Sequence, residues 1–171
     1  MIQVVHAVLP PHGRLWGAGR PAFPDEPAAA EAVDAGVRAW AEAGVQAVVS
    51  LIEDWELGAR CPGLYEALER FDIALLRFPI VDFGAPRDVV AFSELLREVR
   101  ARLDNGQGVL VHCNAGMGRT AVVLASLLKS CGFTGDAVEE IRRIYETDAM
   151  RAATQELFVQ RLPPAADGGR P

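Results

Sequence analysis

The sequence centres on Val109-Leu110-Val111-His112-Cys113-Asn114-Ala115-Gly116-Met117-Gly118-Arg119-Thr120, where a strand, a tight loop and a helix start follow one another. The three aliphatic residues favour a β-strand that ends at the His-Cys pair. Two glycines let the backbone curl, and the apolar run from Ala121 to Leu128 predicts a buried helix directly after the arginine. Such a loop turns its backbone N–H groups inward around a space of phosphate size.

Length and composition predict one globular domain. The 171 residues are 50% hydrophobic and 23% charged, which is enough apolar material for a core without disulfides. The sequence has no window near the about 18 apolar residues of a membrane span, and its N-terminus lacks the pattern of a signal peptide. The net charge of −6 disfavours nucleic acid or an anionic membrane surface as a partner. We therefore expect a cytoplasmic protein with no nucleic-acid or membrane partner.

The three cysteines, Cys61, Cys113 and Cys131, have no paired spacing. Neither a disulfide framework nor a zinc site is indicated, and we expect no metal and no cofactor. A predicted helix separates Cys131 from Cys113, and its rise of about 1.5 Å per residue puts the two sulfurs beyond disulfide reach. Cys61 stays open as a redox partner of Cys113, although a buried or surface thiol is the favoured interpretation.

Strands alternate with helices along the chain. This pattern predicts an α/β fold with a central, mostly parallel sheet of about five strands, flanked by helices on both faces. We expect one domain over residues 1–162 and a disordered C-terminal tail over 163–171. The segment 53–56 is interpreted as a loop. The predicted strands are 2–5, 13–17, 45–51, 73–78 and 109–111, and the predicted helices are 28–43, 62–70, 88–104, 119–130, 134 or 136 to 145, and 151–161.

Cys113 is the candidate nucleophile. A helix N-terminus and a nearby guanidinium both stabilise a thiolate, and both follow this cysteine. The loop N–H groups would bind an oxyanion, while Arg119 would hold two phosphoryl oxygens. The alternative is that Cys113 is a buried structural cysteine before an ordinary turn, but a chance occurrence of the whole motif is improbable. The predicted phosphate-binding residues are Asn114, Ala115, Gly116, Met117, Gly118 and Arg119.

The pattern His112-Cys113-x5-Arg119-Thr120 resembles the signature of the cysteine-dependent protein tyrosine and dual-specificity phosphatases. The segments 45–51, 78–86 and 137–143 are similar to small atypical dual-specificity phosphatases and to the kinase-associated phosphatase group. The resemblance implies hydrolysis of a phosphomonoester through a phosphocysteine on Cys113, with Arg119 holding the transferring group. It also implies that Thr120 hydrogen-bonds the sulfur and that His112 orients the loop and helps to keep the thiolate.

Asp82 is the candidate proton donor for the leaving group. It lies on a loop after a predicted strand, as the acid does in the resembling families. A solvated turn aspartate is the alternative, and Asp54, Asp72 and Asp88 are weaker candidates. Gln155 matches a glutamine that often lines the site in these families. Residues 145–148, however, depart from the usual Arg-Pro-Gly, so a solvent-facing helix residue is the favoured interpretation there.

The loop contains no lysine, whereas phosphatases of polyphosphoinositides commonly carry lysines there. The sequence therefore predicts a phosphoprotein substrate, with phosphotyrosine and phosphoserine or phosphothreonine both open, or a small phosphomonoester. We expect a monomer. One alternative is a pseudophosphatase that binds phosphate without turnover. A sulfurtransferase or an arsenate reductase is another, but the spacing and the His112 and Thr120 flanks favour phosphoryl transfer.

Overall fold

The computed structural model describes residues 2–4, 13–25 and 28–163 of the chain. Its strands are β1 (Ile2–Val4), β2 (Arg14–Ala18), β3 (Ala47–Ser50), β4 (Ala74–Arg77) and β5 (Gly108–His112). Its helices are α1 (Ala30–Glu42), α2 (Asp54–Arg60), α3 (Leu64–Arg70), α4 (Val89–Asp104), α5 (Arg119–Ser130), α6 (Ala137–Ile144) and α7 (Ala153–Arg161).

The strands form a single sheet in the order β1-β2-β5-β3-β4. β1 pairs antiparallel with β2, and the other pairs are parallel. β5 lies in the centre, where Val109 is paired with Leu15 on one side and Ala47 on the other. The predicted α/β fold with a mostly parallel sheet of five strands is confirmed. The carboxyl ends of β3, β4 and β5 meet at one edge, which is where parallel sheets bind ligands.

Helices cover both faces of the sheet, and β5 contributes alternate residues to the two layers. Val109, Val111 and Cys113 belong to the core beneath α4, α5, α6 and α7. Leu110 belongs to the core beneath α1 and α3. The ring of His112 also points to that second layer, with its centroid 5.6 Å from the Trp40 ring. Two neighbours in sequence, histidine and cysteine, therefore lie on opposite faces of the sheet.

The prediction of a loop at residues 53–56 was wrong, because α2 begins at Asp54. Glu53 occupies the N-cap position, and its side chain accepts a hydrogen bond from the backbone N–H of Glu56, three residues on. The Glu56 carboxylate in turn accepts the N–H of Glu53 at 3.0 Å. This capping box starts a helix without the serine, threonine, aspartate or asparagine that usually marks one.

The remaining boundaries differ from prediction by a few residues. α6 starts after Asp136, whose side chain accepts the N–H groups of Val138 and Glu139. α7 starts at Ala153, two residues later than expected. Val5 and residues 164–171, most of the predicted tail, lie outside the described residues. None of the helices in the described part of the chain has the length and apolar character needed to cross a membrane.

Candidate active site

The central feature of the site is the turn between β5 and α5. Cys113 directly follows β5 and is 3% exposed, and Arg119 begins α5. The Cys113 sulfur accepts the backbone N–H of Gly116 at 3.2 Å. Gly116 has φ +87°, and a Cβ there would lie 2.7 Å from the carbonyl carbon of Ala18. A side chain at this position would therefore push the loop away from β2, which explains the need for glycine.

Three carbonyl groups of the loop accept hydrogen bonds from neighbouring segments of the chain. The Asn114 carbonyl accepts the N–H of Arg20 at 2.9 Å, and the Gly116 carbonyl accepts the Tyr145 hydroxyl at 2.9 Å. The Met117 carbonyl accepts a backbone N–H from the segment before α7 at 3.1 Å. Within the described chain, no protein acceptor takes the N–H groups of residues 115, 117 or 118. These donors are therefore available to an anion on the inner side of the loop.

Arg119 is 1% exposed and has its guanidinium held by three partners. Nη1 donates to Glu56 Oε2 at 2.6 Å and to the Ile80 carbonyl at 3.0 Å. Nη2 donates to Glu56 Oε1 at 2.8 Å and lies 3.0 Å from Asp82 Oδ1. The Nε–H, the fifth donor of the guanidinium, has no acceptor among the described residues. A phosphoryl group could therefore be bound by Nε and by the Nη2 hydrogen that faces Asp82.

Glu56 is the site residue that the sequence analysis missed. Burial raises the pKa of its carboxyl, but the hydrogen bonds from Arg119 and the Glu53 N–H, with the charge of Arg119, bring the pKa below its ordinary value. Burial lowers the pKa of Arg119, and the Glu56 hydrogen bond and nearby negative charges raise it above its ordinary value. Both groups are ionised at neutral pH. The acidic run at residues 53–56 was the only signal of this partner.

Asp82 lies on the loop after β4, as predicted, and its carboxylate faces Arg119. Two hydrogen bonds from α7 hold the same loop. The Thr154 hydroxyl donates to the Phe83 carbonyl at 3.1 Å, and Gln155 Nε2 donates to the Gly84 carbonyl at 3.0 Å. Gln155 is 1% exposed, so the interpretation of this residue as solvent-facing was wrong.

These groups surround a cavity of about 280 Å³. The structure brings together there most of the predicted site residues, whereas His112, Gly116 and Thr120 do not line the cavity. Arg151 and Asp148, which were not predicted, form an ion pair of 2.5 Å at its wall. The lining residues are Asp82, Phe83, Cys113, Asn114, Ala115, Met117, Gly118, Arg119, Asp148, Arg151, Ala152 and Gln155.

The Thr120 hydroxyl is placed differently from the expectation, and His112 is buried at the end of β5. The Thr120 hydroxyl donates to the Ala18 carbonyl at 3.4 Å instead of to the sulfur, because the side chain points to β2. His112 is fully buried, and its Nδ1 lies 3.2 Å from the Cys113 carbonyl. Burial lowers the pKa of His112 to about 4, against the effect of that hydrogen bond. The ring is neutral at pH 7, so it orients the Cys113 peptide but offers the sulfur no positive charge.

The other cysteines lie outside the cavity. Cys61 is fully buried beneath α1 and α3, and burial raises the pKa of its thiol to about 11. Such a thiol is a poor nucleophile at neutral pH, which disfavours the redox role left open above. Cys131 follows the far end of α5. Over the described residues, no three His, Cys, Asp or Glu side chains are grouped so that they could hold a metal ion.

A family model described as a polymorphic toxin system DSP-PTPase phosphatase matches residues 24–132. Together with the parallel sheet and the loop between β5 and α5, this match defines the class as the cysteine-dependent dual-specificity phosphatases. Because the match covers more than half of the sequence, the chain belongs to the DSP-PTPase phosphatase family.

Individual proteins point to the same group. Cyclin-dependent kinase inhibitor 3 of Sus scrofa is 30% identical over 123 residues, which cover 70% of this chain and 58% of that protein. A crystal structure of kinase associated phosphatase, with serine in place of the catalytic-site cysteine, superposes with a TM-score of 0.72 at 23% identity, covering 85% of this chain and 82% of that one. The active form of Tk-PTP superposes with a TM-score of 0.63 at 28% identity, covering 81% and 95%. The predicted membership of the cysteine-dependent dual-specificity phosphatase superfamily is confirmed, and kinase associated phosphatase is among the proteins that the chain resembles.

Proposed function

We propose that this protein hydrolyses phosphomonoesters on phosphoproteins through a phosphocysteine intermediate. The observation that carries the proposal is the convergence of Cys113, Arg119 and Asp82 on one cavity. A nucleophile, a cation for the transferring group and a proton donor are the three groups that this reaction requires.

In the first step, the Cys113 thiolate attacks phosphorus from the floor of the cavity. A sulfur–phosphorus bond forms while the bond from phosphorus to the leaving oxygen breaks. Asp82 gives its proton to that oxygen, so that the product leaves as a neutral alcohol or phenol and Asp82 becomes a carboxylate.

The loop N–H groups and Arg119 lower the barrier of this step. Negative charge spreads over the equatorial oxygens of the transferring group, and fixed donors bind that arrangement more strongly than the substrate. Glu56 holds the guanidinium in place from behind, at 2.6 and 2.8 Å. Positioning of this kind removes the need for the arginine to reorganise during the reaction.

In the second step, water attacks phosphorus and the sulfur–phosphorus bond breaks. The Asp82 carboxylate takes a proton from the water, inorganic phosphate forms, and the Cys113 thiolate is restored. Asp82 therefore returns to its protonated state, and no external oxidant, reductant or cofactor enters the balance. Thr120 and His112 act on this cycle by holding the loop, since neither lines the cavity.

Membership of the DSP-PTPase phosphatase family supports a phosphoprotein as the substrate. The absence of lysine from the five residues between Cys113 and Arg119 supports the same class over a polyphosphorylated lipid. We place the activity in one domain over residues 1–162 that acts as a monomer in the cytoplasm. A small phosphomonoester remains the alternative substrate, and phosphate binding without turnover remains the alternative function.

The test compares wild type with Cys113→Ser and with Cys131→Ser, the matched control at the far end of α5. Assays use 4-nitrophenyl phosphate and a panel of phosphotyrosine and phosphothreonine peptides. We expect Cys113→Ser to abolish turnover, and acid-quenched wild type to carry one phosphate on Cys113. Equal rates for wild type and Cys113→Ser would overturn the mechanism. Binding of phosphopeptide by wild type without turnover would establish the pseudophosphatase instead.

A further inference from the structure

We propose that Thr154 is a positioning residue for the Asp82 proton donor and acts together with its neighbour Gln155. This inference rests on the proposed function, because it concerns the delivery of the proton by Asp82. Thr154 and Gln155 lie in the first turn of α7 and donate hydrogen bonds to consecutive carbonyls, those of Phe83 and Gly84. These carbonyls directly follow Asp82 in the chain.

The Asp82 loop has little internal support. Between Ile80 and the N-cap of α4 at Asp88 it forms no helix or strand. Its internal hydrogen bonds are the Gly84 N–H to the Val81 carbonyl at 2.8 Å and the Phe83 N–H to the Asp82 carboxylate at 3.1 Å. Phe83 is 74% exposed and has φ +56°, so its side chain does not anchor the loop in the core.

Within the described chain, polar contacts attach residues 81–87 to the rest of the protein at three points. One is the ion pair from Asp82 to Arg119 at 3.0 Å, and the other two are the bonds from Thr154 and Gln155. A phosphoryl group bound to Arg119 competes with Asp82 for the same Nη2 hydrogen. Once that contact is lost, the two bonds from α7 are the polar contacts that still fix the position of Asp82.

Thr154 and Gln155 differ in what else they contact. Gln155 lines the cavity, and a Cβ on Gly118 would lie 3.0 Å from its amide nitrogen. Substitution of Gln155 therefore disturbs the phosphate loop as well as the Asp82 loop. Thr154 is exposed and does not line the cavity, so its hydroxyl can be removed without touching the phosphate site. Thr154 is therefore the residue on which the inference can be tested separately.

The experiment measures kcat/KM for phenyl phosphate and for 4-nitrophenyl phosphate, because this constant reports the first chemical step. Phenolate is the poorer leaving group and depends more on the proton from Asp82. The readout is the ratio of the two constants in Thr154→Val, Thr154→Ser and wild type. Thr134→Val is the matched control, since Thr134 is an exposed threonine whose side chain forms no hydrogen bond with the Asp82 loop among the described residues. Asp82→Asn defines the ratio when no proton is delivered.

We expect Thr154→Val to lower the phenyl phosphate to 4-nitrophenyl phosphate ratio by about threefold to tenfold, which is the effect of one net hydrogen bond. Thr154→Ser should restore the ratio, because it restores the hydroxyl. If Asp82→Asn lowers the ratio but Thr154→Val behaves as Thr134→Val, the positioning role is wrong and the proposed function stands. If Asp82→Asn itself leaves the ratio unchanged, both the acid assignment and the inference are wrong.

Discussion

The guanidinium of Arg119 and the carboxylate of Glu56 form a two-point ion pair in which both side chains are 1% exposed. The pair joins the first turn of α2 to the start of α5, and the Glu56 carboxylate also accepts the backbone N–H of Glu53, the N-cap residue of α2. One carboxylate therefore completes a helix cap and sets the orientation of the arginine that we propose binds phosphate. Removing it should affect stability and catalysis together.

Substitution of Glu56 with alanine should lower the free energy of unfolding by about 3–5 kcal/mol, because it leaves a buried guanidinium without its main partner. Glu56→Gln keeps one acceptor oxygen and should lower the free energy of unfolding by less than Glu56→Ala does. Both variants should also lose kcat/KM towards aryl phosphates. Urea unfolding and steady-state kinetics provide the measurements, with exposed Glu69→Gln on α3 as the control. An alanine variant as stable as Glu69→Gln would contradict the buried ion pair.

Tyr145→Phe removes only the hydroxyl that holds the Gly116 carbonyl. The ring should stay in place, because it packs so closely on Gly17 that a Cβ there would lie 2.5 Å away. We expect kcat/KM to fall by about twofold to tenfold, the effect of one hydrogen bond. Tyr65→Phe is the matched control, since the buried Tyr65 hydroxyl has no partner among the described residues. The same loss in both variants would argue against a specific role of Tyr145.

Gly116 and Gly132 allow a direct comparison, because their φ angles are +87° and +88°. A Cβ on Gly132 would have no atom within 4 Å. Gly132→Ala should therefore lower the free energy of unfolding by about 1 kcal/mol, from backbone strain alone, and keep activity. Gly116→Ala adds contacts of 2.7 Å with the backbone of Ala18 and Gly19. It should displace the loop and abolish most of the activity. Thermal unfolding and aryl phosphatase assays of both variants check this difference.

His112 should make stability depend on pH near neutrality. Its folded pKa of about 4 lies below its ordinary value of 6.5, so the unfolded chain binds a proton that the folded chain does not. Stability from this group is therefore present above pH 6.5 and is lost as the pH falls towards 4. Between pH 7 and pH 5 the loss should be about 2 kcal/mol.

The measurement is urea unfolding of wild type and His112→Asn across that interval. The asparagine variant should be less stable at pH 7, but its free energy of unfolding should vary less with pH. The difference between the two slopes is the readout, since the other titrating groups are common to both proteins. Parallel slopes would mean that the folded protein binds a proton on His112 in this range.

Local patterns were sufficient to predict the central elements. The aliphatic residues before Cys113 predicted β5, those after Arg119 predicted α5, and the glycines between them predicted the loop. These predictions succeeded because the conformational preferences of such residues act over a few neighbouring positions. The position of Asp82 at the cavity could be predicted from its place after a strand, since parallel strands bring their carboxyl ends together. The alternation along β5 also follows from the two-residue period of a strand.

Contacts between distant segments could not be predicted in this way. Glu56 lies 63 residues before Arg119, and its run of acidic neighbours resembles a solvated loop. The direction of the Thr120 hydroxyl depends on how closely α5 packs on β2, where Ala18 offers a carbonyl. The bond from Thr154 to the Asp82 loop depends likewise on the packing of α7. Sequence spacing carries no information about these distances.

The residues of the loop between Cys113 and Arg119 differ in how far the structure restricts their side chains. Asn114 is tied through its side chain, which accepts Arg20 Nε at 2.9 Å, and Gly116 has no room for a Cβ. Ala115 and Met117 line the cavity, yet the loop uses their backbone groups to shape the site. Substitution of Ala115 or Met117 should therefore change the lining of the cavity while the backbone groups proposed to bind phosphate stay in place.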